Sequence, residues 1–417
     1  MHYRSRLADA ELADRLQSAG VVVVEGAKAC GKTATARQAA ASEVLLDVDE
    51  NARAAVAINP PLVLDGPVPR LIDEWQIEPR IWDHVRRAVD DRAQPGQFIL
   101  AGSAIPTDDA TRHTGAGRFS RLRMRPMSLF ESDLATGAIS LAGLLGGAPS
   151  ESPASELMLG DLAEEIARGG WPGLRDQPVA RAQQAVRDYL DEIRRTDINA
   201  VDGIRRDRER VGRMIRSLAR NVATHVAAST LAADTDGADG PLKKHTVGDY
   251  LAALERLFIV EDQPAWAPHL RSRYALRRAA KRHFVDPSLA VAALRADPAA
   301  LLRDLNLLGL LFESLVVRDL RVYAQVSDGR VLQYRDSDGL EVDAIVETED
   351  GRWAAFEVKL GGDKPIEEGA DSLKAFSKRV DTERTGEPAA LGVIVSGGYG
   401  YVREDSIQVI PIGALGP

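Results

Sequence analysis

The chain has 417 residues, of which 62 are acidic and 53 are basic, and its formal net charge is −9. This length predicts two to three domains with room for a large core, and the acidic balance excludes a protein whose whole surface coats nucleic acid. The single cysteine, Cys30, excludes an intrachain disulfide, and no apolar run approaches the ~18–20 residues of a membrane-spanning helix. We therefore expect a cytoplasmic protein that does not enter the membrane.

Short apolar strands alternate with helices in the first part of the chain. Residues 7–19 are expected to form a helix that ends at Gly20. The four valines at 21–24 lack polar alternation, as in a strand that is buried on both faces. Further strands are expected at residues 44–46, 70–72, 98–100 and 122–124. This β-α-β rhythm predicts an α/β domain over residues 1–135, with helices on both faces of a parallel sheet.

A phosphate loop follows the first strand. Residues 26–33 read G-A-K-A-C-G-K-T and match the pattern G-x-x-x-x-G-K-[ST] at every fixed position. The glycines let backbone N–H groups turn toward phosphate oxygens, Lys32 supplies charge to the β- and γ-phosphates, and the Thr33 hydroxyl ligates Mg²⁺. The residues expected to bind the nucleotide are Gly26, Ala27, Lys28, Ala29, Cys30, Gly31, Lys32, Thr33 and Ala34.

Polar residues at the ends of neighbouring strands would complete this site. Asp73 is expected to hold Mg²⁺ together with Thr33, and Glu74 to act as the general base that polarises the attacking water; a solvated pair of loop charges is the alternative. Ser103 is a candidate sensor of the γ-phosphate or, equally, a strand cap. Arg118 and Arg121 are candidates for an arginine finger, supplied by a neighbouring subunit of a homo-oligomer, or are ordinary surface arginines.

The middle of the chain has a different composition. Residues 137–155 are rich in Gly, Ala, Ser and Pro and are expected to form a loop or linker. Residues 156–300 are predicted to be almost wholly helical, and a helix at 246–257 that runs into a short strand suits a winged helix. Residues 271–282 hold six basic side chains and no acidic one. They predict either a DNA-binding site or arginines that pair with the protein's own carboxylates.

The last part of the chain, residues 301–417, is predicted to be a separate α/β domain. Glu357 and Lys359 lie two residues apart on one expected strand, so they share a face, and Asp343 lies on the other arm of the hairpin. Glu313, on the preceding helix, could add a fourth group. Carboxylates that hold Mg²⁺ beside a lysine that activates water predict phosphodiester cleavage; a charge-rich, solvated hairpin is the alternative.

An ordered series of motifs resembles one family along nearly the whole chain. These motifs are the phosphate loop, Asp73-Glu74-Trp75-Gln76, Leu100-Ala101-Gly102-Ser103, Gly169-Gly170-Trp171-Pro172-Gly173, Phe284-Val285-Asp286-Pro287, Leu311-Phe312-Glu313-Ser314-Leu315 and Glu357-Val358-Lys359. The family is that of bacterial and archaeal AAA-type ATPases with a C-terminal domain of unknown function.

This resemblance implies ATP as the nucleotide, an AAA-like core, a helical and winged-helix middle, and a restriction-endonuclease-like terminal domain. The chain departs from that nuclease pattern at Val342, where a proline usually precedes the first Asp. Three functions are therefore considered: an Mg²⁺-dependent ATPase that moves on a partner such as DNA, an ATP-gated nuclease, and a nucleotide-dependent switch for a protein partner. The presence of Glu74 beside Asp73 favours hydrolysis.

Overall fold

The computed structural model describes residues 3–104, 115–236, 240, 242–267 and 280–417. Its first part alternates strands and helices as the sequence predicts. The elements are α1 (Leu7–Ser18), β1 (Val21–Glu25), α2 (Lys32–Ala39), β2 (Ser42–Leu45), α3 (Glu50–Ile58), α4 (Pro61–Leu64), β3 (Arg70–Asp73), α5 (Ile81–Arg92), β4 (Phe98–Gly102) and β5 (Phe119–Arg123).

The five strands form one parallel sheet in the order β2-β3-β4-β1-β5. Val22 and Val24 of β1 enter the apolar cluster on one face, and Val21 and Val23 enter the cluster on the other. The valine run is therefore buried on both faces, which confirms the predicted α/β sheet. Because the strands are parallel, the segments that follow β1, β3 and β4 meet at one edge.

The middle of the chain is mainly helical. Its elements are β6 (Ile139–Ser140), α6 (Leu141–Leu145), β7 (Ser152–Ser155), α7 (Leu159–Arg168), α8 (Val179–Glu192), a π-helical turn (Ile193–Asp197), α9 (Ile198–Ala200), α10 (Arg208–Arg220), α11 (Ala228–Asp234), α12 (Lys244–Arg256), α13 (Pro287–Leu294) and α14 (Pro298–Arg303). Asp286 and Asp297 accept hydrogen bonds from backbone N–H groups of α13 and α14, each with proline at the first helical position.

The expectation of a loop at residues 137–155 was wrong. β6 pairs in parallel with a strand at residues 415–416, and β7 pairs antiparallel with a strand at residues 398–402. Both partners lie more than two hundred residues further along the chain, so local composition could not reveal them. The pairing of β7 with residues 398–402 also needs a small residue at position 400. A Cβ atom there would lie only 2.6 Å from Ser152 Oγ, which is too close.

Helices α10, α11 and α12 are followed by two extended segments in the order of a winged helix. Bridges between Val260 and Phe284 and between Gln263 and Lys281 join these segments antiparallel, and Thr224 bridges to Arg282. We call residues 280–284 the wing strand. Residues 271–279, which carry most of the predicted basic segment, lie outside the described residues.

The last part of the chain is built on a seven-stranded mixed sheet in the order β7-β12-β13-β11-β10-β9-β8. Its elements are α15 (Leu305–Gln325), β8 (Arg330–Arg335), β9 (Glu341–Glu347), β10 (Trp353–Lys359), α16 (Asp363–Ser377), α17 (Thr382–Thr385), β11 (Ala390–Val395), β12 (Gly398–Val402), β13 (Gln408–Pro411) and β14 (Leu415–Gly416). Strand β10 lies between β9 and β11 and is buried along most of its length.

One apolar cluster extends through all three parts of the molecule. It includes Val22 of the first sheet, Leu218 of α10, Leu315 of α15 and Phe356 of β10. A second cluster places Trp266, which precedes the wing strand, against Trp353 of the C-terminal sheet. The division into independent domains at 1–135, 156–300 and 301–417 therefore stays a prediction.

Candidate functional site

The phosphate loop lies at the carboxyl end of β1 and leads into α2. Gly31 has φ 106° and Ala29 has φ 62°, so both are left-handed. A Cβ atom at Gly26 would lie 2.1 Å from the Met124 carbonyl oxygen. Glycine is thus required at position 31 by backbone conformation and at position 26 by close packing. This backbone course lets the loop direct its N–H groups inward.

The predicted magnesium ligands meet beside this loop. Thr33 Oγ1 donates a 2.9 Å hydrogen bond to Asp73 Oδ2, and Lys32 Nζ donates to the Ala27 carbonyl oxygen at 2.9 Å. Asp73 Oδ1 is buried and has no hydrogen-bond partner among the described residues. Burial raises the pKa of the Asp73 carboxyl above its ordinary value. A hydroxyl beside an unpartnered carboxylate oxygen is an oxygen donor set that suits Mg²⁺.

Glu74 follows Asp73 in a left-handed conformation, with φ 51°. Its Oε2 atom accepts a 3.1 Å hydrogen bond from Ser103 Oγ and a second bond from Gln76 Nε2. A Cβ atom at Gly102 would lie 2.6 Å from Gln76 Oε1, so glycine is needed for this approach. Ser103 therefore contacts the proposed base, while its role as a phosphate sensor stays a prediction. Gln76 was not among the predicted site residues.

Arg6 is a supporting residue that sequence analysis missed. Its side chain is buried and donates hydrogen bonds to the Cys30 carbonyl oxygen at 2.8 Å and to Glu131 Oε1 at 3.0 Å. Arg6 thus ties the phosphate loop to the segment after β5. No motif marks it, because its partners lie far away in sequence. Lys28 forms a further link, through a 2.7 Å bond to Asp197 in the π-helical turn.

The two arginine-finger candidates each pair with a carboxylate of their own chain. Arg118 precedes β5, at the amino end of the sheet, and pairs with Asp90 at 2.8 Å. Arg121 pairs with Glu25 at 2.8 Å and lies over the ring of Trp82. The finger role of either residue stays a prediction.

The helical region covers one side of the phosphate loop. A Cβ atom at Gly31 would lie 3.6 Å from Pro172 Cγ. Next to this contact is a cavity of about 240 Å³. Its lining includes Tyr3, Arg6, Gly31, Ala34, Thr35, Gln38 and Pro172. Gly170 N donates to Asp286 Oδ2 at 3.0 Å, which connects the Gly169–Gly173 motif to the start of α13.

The structure brings together all four predicted residues of the C-terminal site. Lys359 Nζ donates to Glu357 Oε2 at 2.6 Å and lies 3.7 Å from Asp343 Oδ2. Glu313 of α15 reaches the same cluster through Lys281, which the sequence analysis had placed only in the basic segment. Lys281 Nζ contacts both Glu313 Oε1 and Asp343 Oδ1, the latter at 3.2 Å.

Burial and mutual repulsion perturb these carboxyl groups. Burial, followed by the charge of Asp343, raises the pKa of Glu313 and of Glu357 to about 8. Burial would also raise the pKa of Asp343, but the ammonium groups of Lys281 and Lys359 lower it below its ordinary value. In the described part of the chain, no group of three or more His, Cys, Asp or Glu side chains is arranged to hold a metal ion.

Family models match three consecutive parts of the chain. Residues 18–132 match an AAA domain, residues 159–300 match a domain of unknown function (DUF8612), and residues 308–415 match another (DUF4143). Together with the parallel sheet and the phosphate loop, the first match identifies an AAA-like P-loop ATPase domain. Within the described ranges, no helix has the length and apolar character needed to span a membrane.

Similar full-length proteins occur in mycobacteria. The uncharacterized proteins Mb2031c of Mycobacterium bovis and Rv2008c of Mycobacterium tuberculosis are each 25% identical over 410 residues, which is 97% of this chain and 83% of theirs. The Walker-type ATPase PABY2304 of Pyrococcus abyssi has 12% identity and a TM-score of 0.39, over 69% of this chain and 94% of its own.

A structure of Drosophila ORC bound to DNA has 16% identity and a TM-score of 0.19, over 69% of this chain and 85% of its own. We draw no conclusion from structural likenesses with TM-scores this low.

Proposed function

We propose that the protein is an Mg²⁺-dependent ATPase that couples hydrolysis to movement on a partner such as DNA. The observation that carries this proposal is the position of Glu74, beside the Thr33–Asp73 pair and held by Ser103. Mg²⁺, when bound by Thr33 and Asp73, would neutralise charge on the β- and γ-phosphate oxygens. If Asp73 and Glu74 were solvated carboxylates without these hydrogen bonds, they would not support the roles of magnesium ligand and general base.

Each residue of the site then has a defined task. The N–H groups of the phosphate loop and the ammonium group of Lys32 bind the phosphates. Glu74 accepts a proton from the attacking water, as a general base does. Hydrogen bonds from Ser103 and Gln76 keep the Glu74 carboxylate in place for that transfer. Two contacts would transmit a conformational change from the phosphate loop to the helical region. Gly31 lies against Pro172, and Lys28 pairs with Asp197.

DNA is the partner that the middle region favours. The order of three helices and two antiparallel segments suits a winged helix, and residues 271–279 supply four arginines. Two basic residues of the segment lie in the described part of the chain, and both pair with the protein's own carboxylates. Lys281 pairs with Glu313, and Arg282 pairs with Asp262. DNA contact through residues 271–282 and the winged-helix region stays a proposal, and residues 271–279 lie outside the described residues. A single buried cysteine and a need for ATP support a cytoplasmic location.

The test is steady-state ATP hydrolysis by the wild type and by Glu74→Gln, each with and without double-stranded DNA. The glutamine keeps the shape of the side chain but cannot accept the proton, so turnover should fall about 10²–10⁴-fold while ATP binding is retained. Glu78→Gln is the matched control on the same segment, and its turnover should equal that of the wild type. DNA should accelerate the wild type.

Unchanged turnover in Glu74→Gln would remove Glu74 from its role as the base. Slow wild-type turnover that ignores DNA would instead favour the nucleotide-dependent switch. The convergence of Glu313, Asp343, Glu357 and Lys359 supports the other alternative, an ATP-gated nuclease. The buried lysine at the centre of that cluster counts against it.

A further inference from the structure

The four carboxylate oxygens of Asp343 and Glu357 in the C-terminal cluster already have hydrogen-bond partners. Asp343 Oδ1 accepts from Lys281 Nζ at 3.2 Å, and Asp343 Oδ2 accepts from the Val358 backbone N–H at 3.0 Å. Glu357 Oε1 accepts from Ser372 Oγ at 3.1 Å, and Glu357 Oε2 accepts from Lys359 Nζ at 2.6 Å. Divalent cations need several such oxygens as ligands. This donor set therefore does not fit the Mg²⁺ ion that a restriction-endonuclease-like domain implies.

Lys281 is fixed in this position by its own backbone. Its N–H group donates to the Gln263 carbonyl oxygen at 3.0 Å, and its carbonyl oxygen accepts from the Gln263 N–H group at 2.9 Å. Two residues further along the wing strand, His283 contacts Ser314 of α15 at 3.2 Å. Only 3% of Lys281 is exposed. The ammonium group is thus a built part of the cluster and not a surface charge that happens to point inward.

Formal charges explain why a lysine and a metal ion compete here. The cluster holds three carboxylates (Glu313, Asp343 and Glu357) and two ammonium groups (Lys281 and Lys359), so its formal charge is −1. Without Lys281 the formal charge would be −2, which a divalent cation neutralises. These charges apply when every group is ionised. An uncompensated charge is costly in a buried site, so without Lys281 a divalent cation, or protons on Glu313 and Glu357, must offset it.

We propose that the Lys281 ammonium group takes the place of a divalent cation, so that Lys281 and a metal ion exclude one another in this cluster. The wing strand, α15 and the C-terminal sheet are then joined by an ionic contact at the position where a nuclease would bind its metal. The wild-type chain binds no divalent cation at Asp343 and Glu357. This inference is independent of the ATPase proposal.

The test counts the Mn²⁺ ions bound by the full-length, nucleotide-free chain, measured by electron paramagnetic resonance. Lys281→Met keeps the length of the side chain and removes its charge. We expect Lys281→Met to bind one Mn²⁺ more than the wild type, and the second change Asp343→Asn to abolish that gain. Lys281→Arg, which keeps the charge, should bind no more Mn²⁺ than the wild type. All variants share one phosphate loop, so any ion there cancels in the comparison.

A second measurement covers the case in which Lys281→Met folds poorly. Its buried carboxylates would then lack the Lys281 ammonium group, and Mn²⁺ should raise its melting temperature by more than it raises that of the wild type. Two results would overturn the proposal. One is a wild-type Mn²⁺ site that disappears in Asp343→Asn. The other is a Lys281→Met chain that neither binds the additional ion nor is stabilised by it.

Discussion

At the scale of single residues, Asp73 combines a functional position with an unfavourable environment. Its carboxyl group is buried, one of its oxygens has no hydrogen-bond partner among the described residues, and burial raises its pKa. A buried acid with a raised pKa binds its proton more tightly in the folded state than in the unfolded state. The ionised form therefore opposes folding at neutral pH, and stability rises as the pH falls through the folded-state pKa.

Asp73→Asn should raise the melting temperature of the nucleotide-free protein at neutral pH, because the neutral amide avoids the buried charge. The gain should shrink on acidification, since the folded-state Asp73 of the wild type then takes up a proton and loses its buried charge. Thermal melting from about pH 3 to about pH 8 in roughly one-unit steps checks this expectation, because the window begins below the ordinary Asp pKa of about 3.9. Asp47→Asn, at an exposed aspartate after β2, is the control and should show no comparable gain.

Residues differ in how well the sequence predicts their roles. The phosphate loop and the Asp73-Glu74 pair could be predicted because each is contiguous and its chemistry fixes the spacing. Arg6 could not be, since its buried partner Glu131 lies 125 residues away. Lys281 was assigned with its basic neighbours, but it is 62 residues from Asp343 and contacts it only in the folded chain. A run of basic residues therefore predicts a positively charged segment, but it does not show which of its side chains will be buried.

At the scale of elements, α15 connects the ATPase domain to the C-terminal cluster. Near its start Glu313 enters the cluster with Lys281, and further along Asp319 Oδ2 accepts from the Leu129 backbone N–H at 3.0 Å. Between them Arg318 pairs with Asp286 at 2.8 Å and with Asp319 at 2.7 Å, and all three side chains are buried. The sequence predicted this helix and singled out Glu313 on it, but it did not reveal the buried pair Arg318 and Asp319.

Arg318→Met should destabilise the protein by about 3–5 kcal/mol, because it leaves two buried carboxylates without a cation. Urea unfolding measures the change. Arg303→Met, at an exposed arginine of α14, is the matched control and should change stability by less than about 0.5 kcal/mol. Equal stability of the two variants would show that the buried network contributes nothing beyond packing.

The sheets were predicted unequally, for physical reasons. Strands β1 and β4 are largely continuous apolar runs, and β3 has an apolar centre at Leu71 and Ile72, so all three could be predicted directly. Strand β12 has the sequence Gly-Tyr-Gly-Tyr-Val, which lacks that signal, and its partner β7 is equally unlike a strand in composition. Strand β7 lies at the edge of the sheet and β12 is next to it, and both form because their backbone groups pair across the sheet. An apolar sequence pattern indicates a buried strand, and few residues of β7 and β12 are buried.

At the scale of the whole molecule, the shared apolar cluster predicts one cooperative unfolding transition. A variant with Trp75, Trp82 and Trp171 replaced by Phe would retain Trp266 and Trp353 as fluorescent reporters of the C-terminal sheet. Their unfolding midpoint should match that of the whole chain by circular dichroism. Mg²⁺ and nucleotide should raise both midpoints together, since ligand binding stabilises the entire folded unit.

Separate midpoints, or a nucleotide effect that the C-terminal tryptophans do not report, would contradict a shared core. The three parts would then behave as independent domains. That result would agree with the division predicted from sequence at residues 1–135, 156–300 and 301–417.

The pairing of β6 with β14 also has a consequence for synthesis on the ribosome. Ser140 Oγ donates to the Pro417 carbonyl oxygen, 277 residues further along the chain. Translation at ~5–20 residues per second separates such partners by roughly 14–55 s. For most of that interval, the strands that pair with β6 and β7 have not yet been synthesised. A nascent chain at this stage exposes unpaired strand edges, which are the surfaces that chaperones shield from association.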